Sequence, residues 1–421
     1  MNTPHRLAGF VYLAAFGMLS ANGATAATIQ AASCSLQAVQ TAVNSASDGD
    51  VVKIPNGSCA WSGGISTNKQ IRIEAQSYTP TKGGTMSRGV VITNNSTSAP
   101  LFSFTSGNNY HVGLAGIRFN EGSGNQNHVR FSGSGTKVPL INDCAFEFKA
   151  RQGSNPGIAM IAMLSLGGVF WNSYFQGVFD PNTAPGGGIF VESPRAWTTA
   201  GTMGMDDVGG RVNVYIEDST LKDVASAPDI DQGGRFVMRH SVIDGTWGLT
   251  HGFTSGVTGR HAEFYDNTFV TTTTSRNMAG RYFWLRGGTA LFTGNSVARA
   301  KDTQSYAGGV VALLEIGDNT SPSGNDSPMQ PGWGHNGTSH VRDPIYVWGN
   351  TGEMGSRVGF NDQSGCWSCV TATGSELIVN GGAKPGWSRF TYPHPARAAV
   401  EDIASAPQQP QPMAPSNVAA Q

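Results

Sequence analysis

Between residues 211 and 297 four short stretches alternate apolar and polar side chains in the same way and can be laid over one another. They read VNVYIEDSTL from Val212, GRFVMRHSVI from Gly234, RHAEFYDNTF from Arg260 and GTALFTGNSV from Gly288. Each is a short strand with one apolar face, then a small polar turn, then a single apolar residue. Those closing residues are Leu221, Ile243, Phe269 and Val297, at steps of 22, 26 and 28. Strand periodicity repeating at this length, with no helical pattern between copies, predicts a parallel β-solenoid. A single coil has too little material to bury its own apolar side, so coils stack and share one core.

The same cadence extends in both directions. Phe119 to Phe146 is 27 residues and Phe146 to Phe175 is 29. Longer steps mark coils that carry insertions, at 180–210 and at the Gly-, Pro-, Ser- and Asn-rich 319–340. Upstream, Leu36, Val39 and Val43 fall on one helical face behind Ser35, which predicts a short capped helix over 35–47. The expected fold is all-β, one parallel β-helix over 27–400 with an amino-terminal capping helix.

Composition agrees with many short strands joined by tight turns, since Gly is abundant (56) and charged residues are few (13%). A net charge of −1 gives no global attraction to nucleic acid or to a membrane surface. Arg6, the apolar run 7–19 and Ala24-Thr25-Ala26 predict a signal peptide over 1–26, hence a secreted or periplasmic protein. No later segment is apolar enough for membrane insertion. The Ala-, Pro- and Gln-rich 401–421 is expected to be a disordered tail, and the protein a monomer. In an oxidising compartment Cys34 and Cys59 suit a disulfide, Cys366 and Cys369 another, and Cys144 a buried thiol.

After the helix comes Asp48-Gly49-Asp50-Val51-Val52-Lys53-Ile54-Pro55-Asn56-Gly57. A short helix followed by this pattern resembles the entrance of the right-handed parallel β-helix proteins of the pectate-lyase-like superfamily. The resemblance implies a helix closing the open edge of the first coil. The motif speaks to the fold and is nearly silent on chemistry.

Register supplies the candidate residues. If Phe236 and Met238 point inward, their neighbours point outward. The repeat offsets then align Asn213, Arg235 and His261; Tyr215, Val237 and Glu263; and Glu217, Arg239 and Tyr265. Adjacent strands lie about 4.8 Å apart, so Glu217, Arg239 and Tyr265 are expected to touch, and so are Arg235, His261 and Glu263. Arg260 and Arg286, with Arg281, extend the basic strip. His251 lies in a glycine-rich loop. His240, Asp218 and Asp266 fall in the turns after the strands and suit turn stabilisation.

This chemistry fits β-elimination on an acidic, uronate-containing glycan. Such a lyase must neutralise the sugar carboxylate and remove its α-proton. Arg235, Glu217, Glu263, Arg260 and Arg286 are the candidate substrate-binding residues; Arg239, His251, His261 and Tyr265 are the catalytic ones. Calcium is the cofactor the resemblance admits, with Asp229 and Asp231 as candidate ligands beside the pair Asp206-Asp207. Two alternatives stand beside the lyase. A glycoside hydrolase would use two carboxylates. His251-Gly252 is similar to part of the polygalacturonase Gly-His-Gly, but the Asn-Thr-Asp and Arg-Ile-Lys motifs that accompany it there are missing. The third reading is a carbohydrate-binding or adhesin solenoid without catalysis.

Overall fold

The computed structural model describes residues 26–149, 159–178, 187–193, 203–250, 258–272, 281–298, 312–318, 331–362 and 377–400. The expected signal peptide, the Cys366/Cys369 pair, His251 and the 401–421 tail lie outside them.

The chain is a right-handed parallel β-helix. Among the described residues the strands fall into parallel sheets of 12, 10 and 9 strands, in which a strand pairs with those one coil before and one coil after, plus one antiparallel pair, Trp333–His335 with His340–Arg342. A typical coil visits the twelve-stranded sheet, turns a tight corner into the nine-stranded sheet, and then enters the ten-stranded sheet. The expected register holds: Asn213–Glu217 pairs with Arg235–Arg239, and that strand with His261–Tyr265. Inward residues form one continuous core in which like stacks on like, with Phe119, Phe146 and Phe175 centroids 5.0 and 5.2 Å apart.

The tight corner explains the turn residues. Asp143, Asn172, Asp218, His240 and Asp266 all have positive φ, between 48° and 58°. Asn and Asp tolerate this left-handed conformation better than most residues, and Gly116, Gly294 and Gly349 fill it in other coils. The residue after each corner faces inward and forms a polar ladder. Ser241 N donates to Asn267 Oδ1 (3.0 Å), Asn267 N to Asn295 Oδ1 (2.9 Å) and Asn295 N to Asn350 Oδ1 (3.0 Å). Backbone amides that turning strands leave unpaired are thus satisfied inside the core.

The entrance is built as expected. The helix Leu36–Ser45 is capped by Ser35, whose Oγ accepts from Ala38 N, and Val39, Ala42 and Val43 are buried against the first coil. Lys69 Nζ donates to the carbonyls of Val43, Asn44 and Ala46 at the helix's negative end. Asp50 accepts from Ala27 N and Ser47 N, both at 2.8 Å, which accounts for an acid at that position of the motif. Gly49 has φ +93°, and a Cβ there would meet the Tyr110 ring at 2.9 Å. Cys34 and Cys59 form the expected disulfide, and Cys144 is a buried thiol whose pKa burial pushes up to about 12.

Candidate active site

The outward column on the twelve-stranded sheet does assemble. Arg239 Nε donates to Glu217 Oε1 (2.8 Å) and Nη1 donates to Tyr265 OH (3.0 Å). His261 Nε2 lies 3.1 Å from Glu263 Oε1. Arg235 does not join them; its Nε is 2.8 Å from Asp206 Oδ1, in the segment that precedes this coil. Arg260 turns to Asp343 (2.8 Å).

The column is no open groove, however. Arg239, Glu217, His261, Arg235, Arg260 and Tyr265 are at most 1% exposed. A strap formed by residues 384–400 lies over Glu217, Arg239, Glu263 and Tyr265, running back along six successive strands of the sheet, from the Tyr346 strand to the Trp171 strand. Lys384 Nζ pairs with Asp343 (2.7 Å) and Trp387 Nε1 donates to Glu263 Oε1 (3.0 Å). Arg239 donates to the carbonyls of Phe390 (2.6 Å) and Thr391 (2.8 Å). Glu217 Oε2 accepts from His394 N and from Arg397, which also reaches Asp218. At the corner, Arg389 grips Asp266 with two bonds and Tyr392 OH donates to Asp218. Phe390, Ala396, Ala399 and Val400 complete an outer apolar seam with Val169, Trp171, Tyr215, Val237 and Tyr265. Asp218, His240 and Asp266 therefore hold the turns, as expected, and Asp218 and Asp266 also anchor the strap.

The electrostatics are those of a closed interface. Burial works to lower the Arg239 pKa, but Glu217 and Tyr265 outweigh it and hold the guanidinium charged. Burial lowers the His261 pKa against the pull of Glu263, and raises that of Tyr265 to about 12. Burial alone would raise the Asp343 carboxyl, yet Lys384 and Arg260 keep it well below the usual range.

The other candidates sit elsewhere. Arg281 and Arg286 do not extend the basic strip. They belong to the strand Arg281–Leu285 and its end, on the ten-stranded sheet. There both guanidiniums cover Trp284, at 4.1 and 4.6 Å from its centroid, and Arg281 lies 5.7 Å from Trp247 while pairing with Glu315. Asp229 starts the strand two coils earlier, in register with Leu249 and, beyond it, Trp284. Trp247, Trp284, Arg286 and Glu192 are only half-buried, so this face is accessible. Burial and the neighbouring Arg281 charge lower the Arg286 pKa, while Asp229 and Asp231 oppose the shift. Glu192 is raised by burial and by Asp231. Among the described residues no three His, Cys, Asp or Glu side chains are grouped as a metal would need. The Asp229/Asp231 pair faces a guanidinium, and Asp231 Oδ1 accepts from Gln232 N at 2.8 Å. The residues present do not fit calcium.

The structure thus divides the expected site: Arg239, His261, Glu217, Glu263 and Tyr265 along the strap, Arg235 and Arg260 beside it against Asp206 and Asp343, and Arg286, Asp229 and Asp231 on the ten-stranded face. His251 follows Thr250, the last residue of the strand Gly248–Thr250 of that face, but lies outside the described residues. The sequence reading missed Trp387, Arg389 and Arg397. Their signal was a cluster of aromatic and basic residues after the last strand, without strand alternation.

No family model matches the sequence, and no curated protein matches it. Among solved structures, the chain is similar to a point mutant of the PL6 family alginate lyase AlyGC, at 14% identity and a TM-score of 0.39 over 85% of this chain. It spans 39% of that protein's length. It is also similar to an alginate lyase from Paenibacillus sp. str. FPU-7, at 15% identity and a TM-score of 0.32, over 68% of this chain and 97% of the other. At these values neither similarity bears on activity or substrate.

Proposed function

We propose that the protein is an exported carbohydrate-active β-helix that takes an acidic, uronate-containing glycan on the outer face of the ten-stranded sheet and cleaves it by β-elimination. The observation that carries this reading is the pair of guanidiniums over the half-buried Trp284, Arg281 buried and Arg286 half-buried, beside Trp247. An indole offers a sugar ring an apolar platform. An arginine beside it offers a carboxylate two parallel donors, and drawing charge from that carboxylate acidifies the α-proton. Arg281 is buried and Arg286 is the more accessible of the two, so Arg286 is the one assigned to the sugar carboxylate. His251, next in sequence to Thr250, is the proton acceptor to test first.

A second reading has its own observation. Burial and Asp231 shift the Glu192 pKa upward, the direction a hydrolase needs in its acid. The test is incubation with alginate, pectate, glycosaminoglycans and bacterial uronans, following ultraviolet absorbance of a new unsaturated uronate. Elimination predicts a rise that Arg286→Ala and His251→Ala abolish. New reducing ends without absorbance, lost in Glu192→Gln, would replace elimination by hydrolysis. Binding without either product would leave a carbohydrate-binding solenoid.

A further inference from the structure

At the amino-terminal end, on the corner between the twelve- and nine-stranded sheets, the loop 76–89 leaves the strand Arg72–Ala75 and returns at Val90–Asn94. It is tied over the corners of later coils: Thr81 N donates to Asp143 Oδ1 (3.0 Å) and Gly83 N to Asp218 O (2.7 Å). Between this loop and Asn56 lies a cavity of about 430 Å³, within the size range of small-molecule sites.

Its lining is specific in kind. Tyr78 presents a half-buried ring; a Cβ on Gly116 would lie 2.3 Å from it, so only glycine lets the ring settle there. Thr79, Thr85 and Ser87 bring hydroxyls, and the Asn56 amide packs where a Cβ on Gly89 would stand, 2.7 Å from its Oδ1. Arg88 is the one basic lining residue. Its Nη1 and Nη2 reach the carbonyls of Thr79 and Asn172 only at 3.4 and 3.5 Å, and its buried Nε has no partner. Arg72, Arg118, Arg235, Arg239, Arg260 and Arg281 each reach a carboxylate. Arg88 has none within ion-pair distance among the described residues; nearby Asp143 is engaged by Thr81 N and the Asn142 amide.

A half-buried cation in no ion pair, an aromatic platform and a ring of hydroxyl and amide groups are the complement of a sugar acid. We infer that this cavity is a second carbohydrate site, binding a single carboxylated sugar residue, free or at the end of a glycan, through Arg88 and Tyr78. It stands apart from the ten-stranded face and needs no catalysis there.

The test is equilibrium dialysis of labelled D-glucuronate against the full chain carrying Arg286→Ala, which removes the arginine proposed for the other face. One saturable site should remain. It should resist competition by glucose, yield to unlabelled glucuronate, and weaken about tenfold or more when Arg88→Gln is added. Tyr78→Ala should weaken it too, and Gly89→Ala, which pushes Asn56 into the cavity, provides a variant that leaves Arg88 in place. A terminal glucuronate on an oligosaccharide that competes as well as the free acid assigns the site to chain ends; free acid alone assigns it to the monosaccharide. No binding in Arg286→Ala where the unmodified protein binds would overturn this site and leave the ten-stranded face standing. Binding indifferent to Arg88→Gln and Gly89→Ala in folded protein would overturn it as well. Equal competition by sulfate with no effect of Tyr78→Ala would reduce it to an anion site and overturn the sugar assignment.

Discussion

At Arg239 one guanidinium joins three parts of the chain. It holds Glu217 one coil back, Tyr265 one coil ahead and two carbonyls of the strap, inside rings of Tyr215, Tyr265, Phe390 and Tyr392 at 5.3–5.8 Å. Removing it leaves Glu217 fully buried with only Arg397 as a charged partner. Arg239→Ala is expected to cost about 3–5 kcal/mol in a urea titration, as for breaking a buried pair. Arg286→Ala, on the accessible face, should stay within about 1 kcal/mol while losing the cleavage of the uronate polymer. The reverse pattern would return the site to the twelve-stranded sheet. Burial also pushes His128 and His394 down to about 4 from an ordinary 6.5. In the unfolded chain both take a proton near 6.5, in the folded protein only near 4. Their contribution to stability is whole above about pH 6.5, declines as pH falls toward 4, and declines no further below that. Urea midpoints across that range should fall, and His394→Asn should remove part of the slope; an unchanged midpoint down to about pH 4.5 would refute the assignment.

The strands and the strap differ in how they are encoded. Alternation of period two fixes which side chains face in, and near-constant coil length fixes their partners, so the columns through Arg235, Val237 and Arg239 follow from the sequence. The entrance helix and Cys34–Cys59 were legible for similar local reasons. Which of three sheets a short strand enters is not local: Arg286 is three residues before Thr289 yet ends a strand on another face. The strap is less local still, for its bonds join residues 41–180 positions apart and it has no alternation of its own. Ending the chain before Lys384 should uncover Tyr215, Val237 and Tyr265 and leave Glu217 and Glu263 without their strap partners His394, Arg397 and Trp387. The expected result is a lower melting temperature and new binding of an apolar dye; an unchanged melting temperature would show the strap to be dispensable.

For the molecule as a whole, a stack of coils touching only their neighbours tends to unfold piecemeal. Here the strap bonds to coils from Asp218 to Asp343 at once, and Arg397 lies over Trp171. Thermal unfolding of the intact protein should therefore be one sharp transition, and that of the shortened chain broader or split. Calorimetry distinguishes the two.

A β-helix has no intrinsic length, since each coil accepts another on top. The strap gives it one. Its residues meet the coils in order, Lys384 at Asp343, Trp387 at Glu263, Phe390 at Arg239 and Arg397 at Glu217. Each coil added between would shift every later meeting point by about 4.8 Å, more than a hydrogen bond tolerates. The strap is in effect a ruler that counts coils. A variant with the coil 212–233 duplicated should still stack its strands, yet present residues 384–400 to a protease that the parent resists.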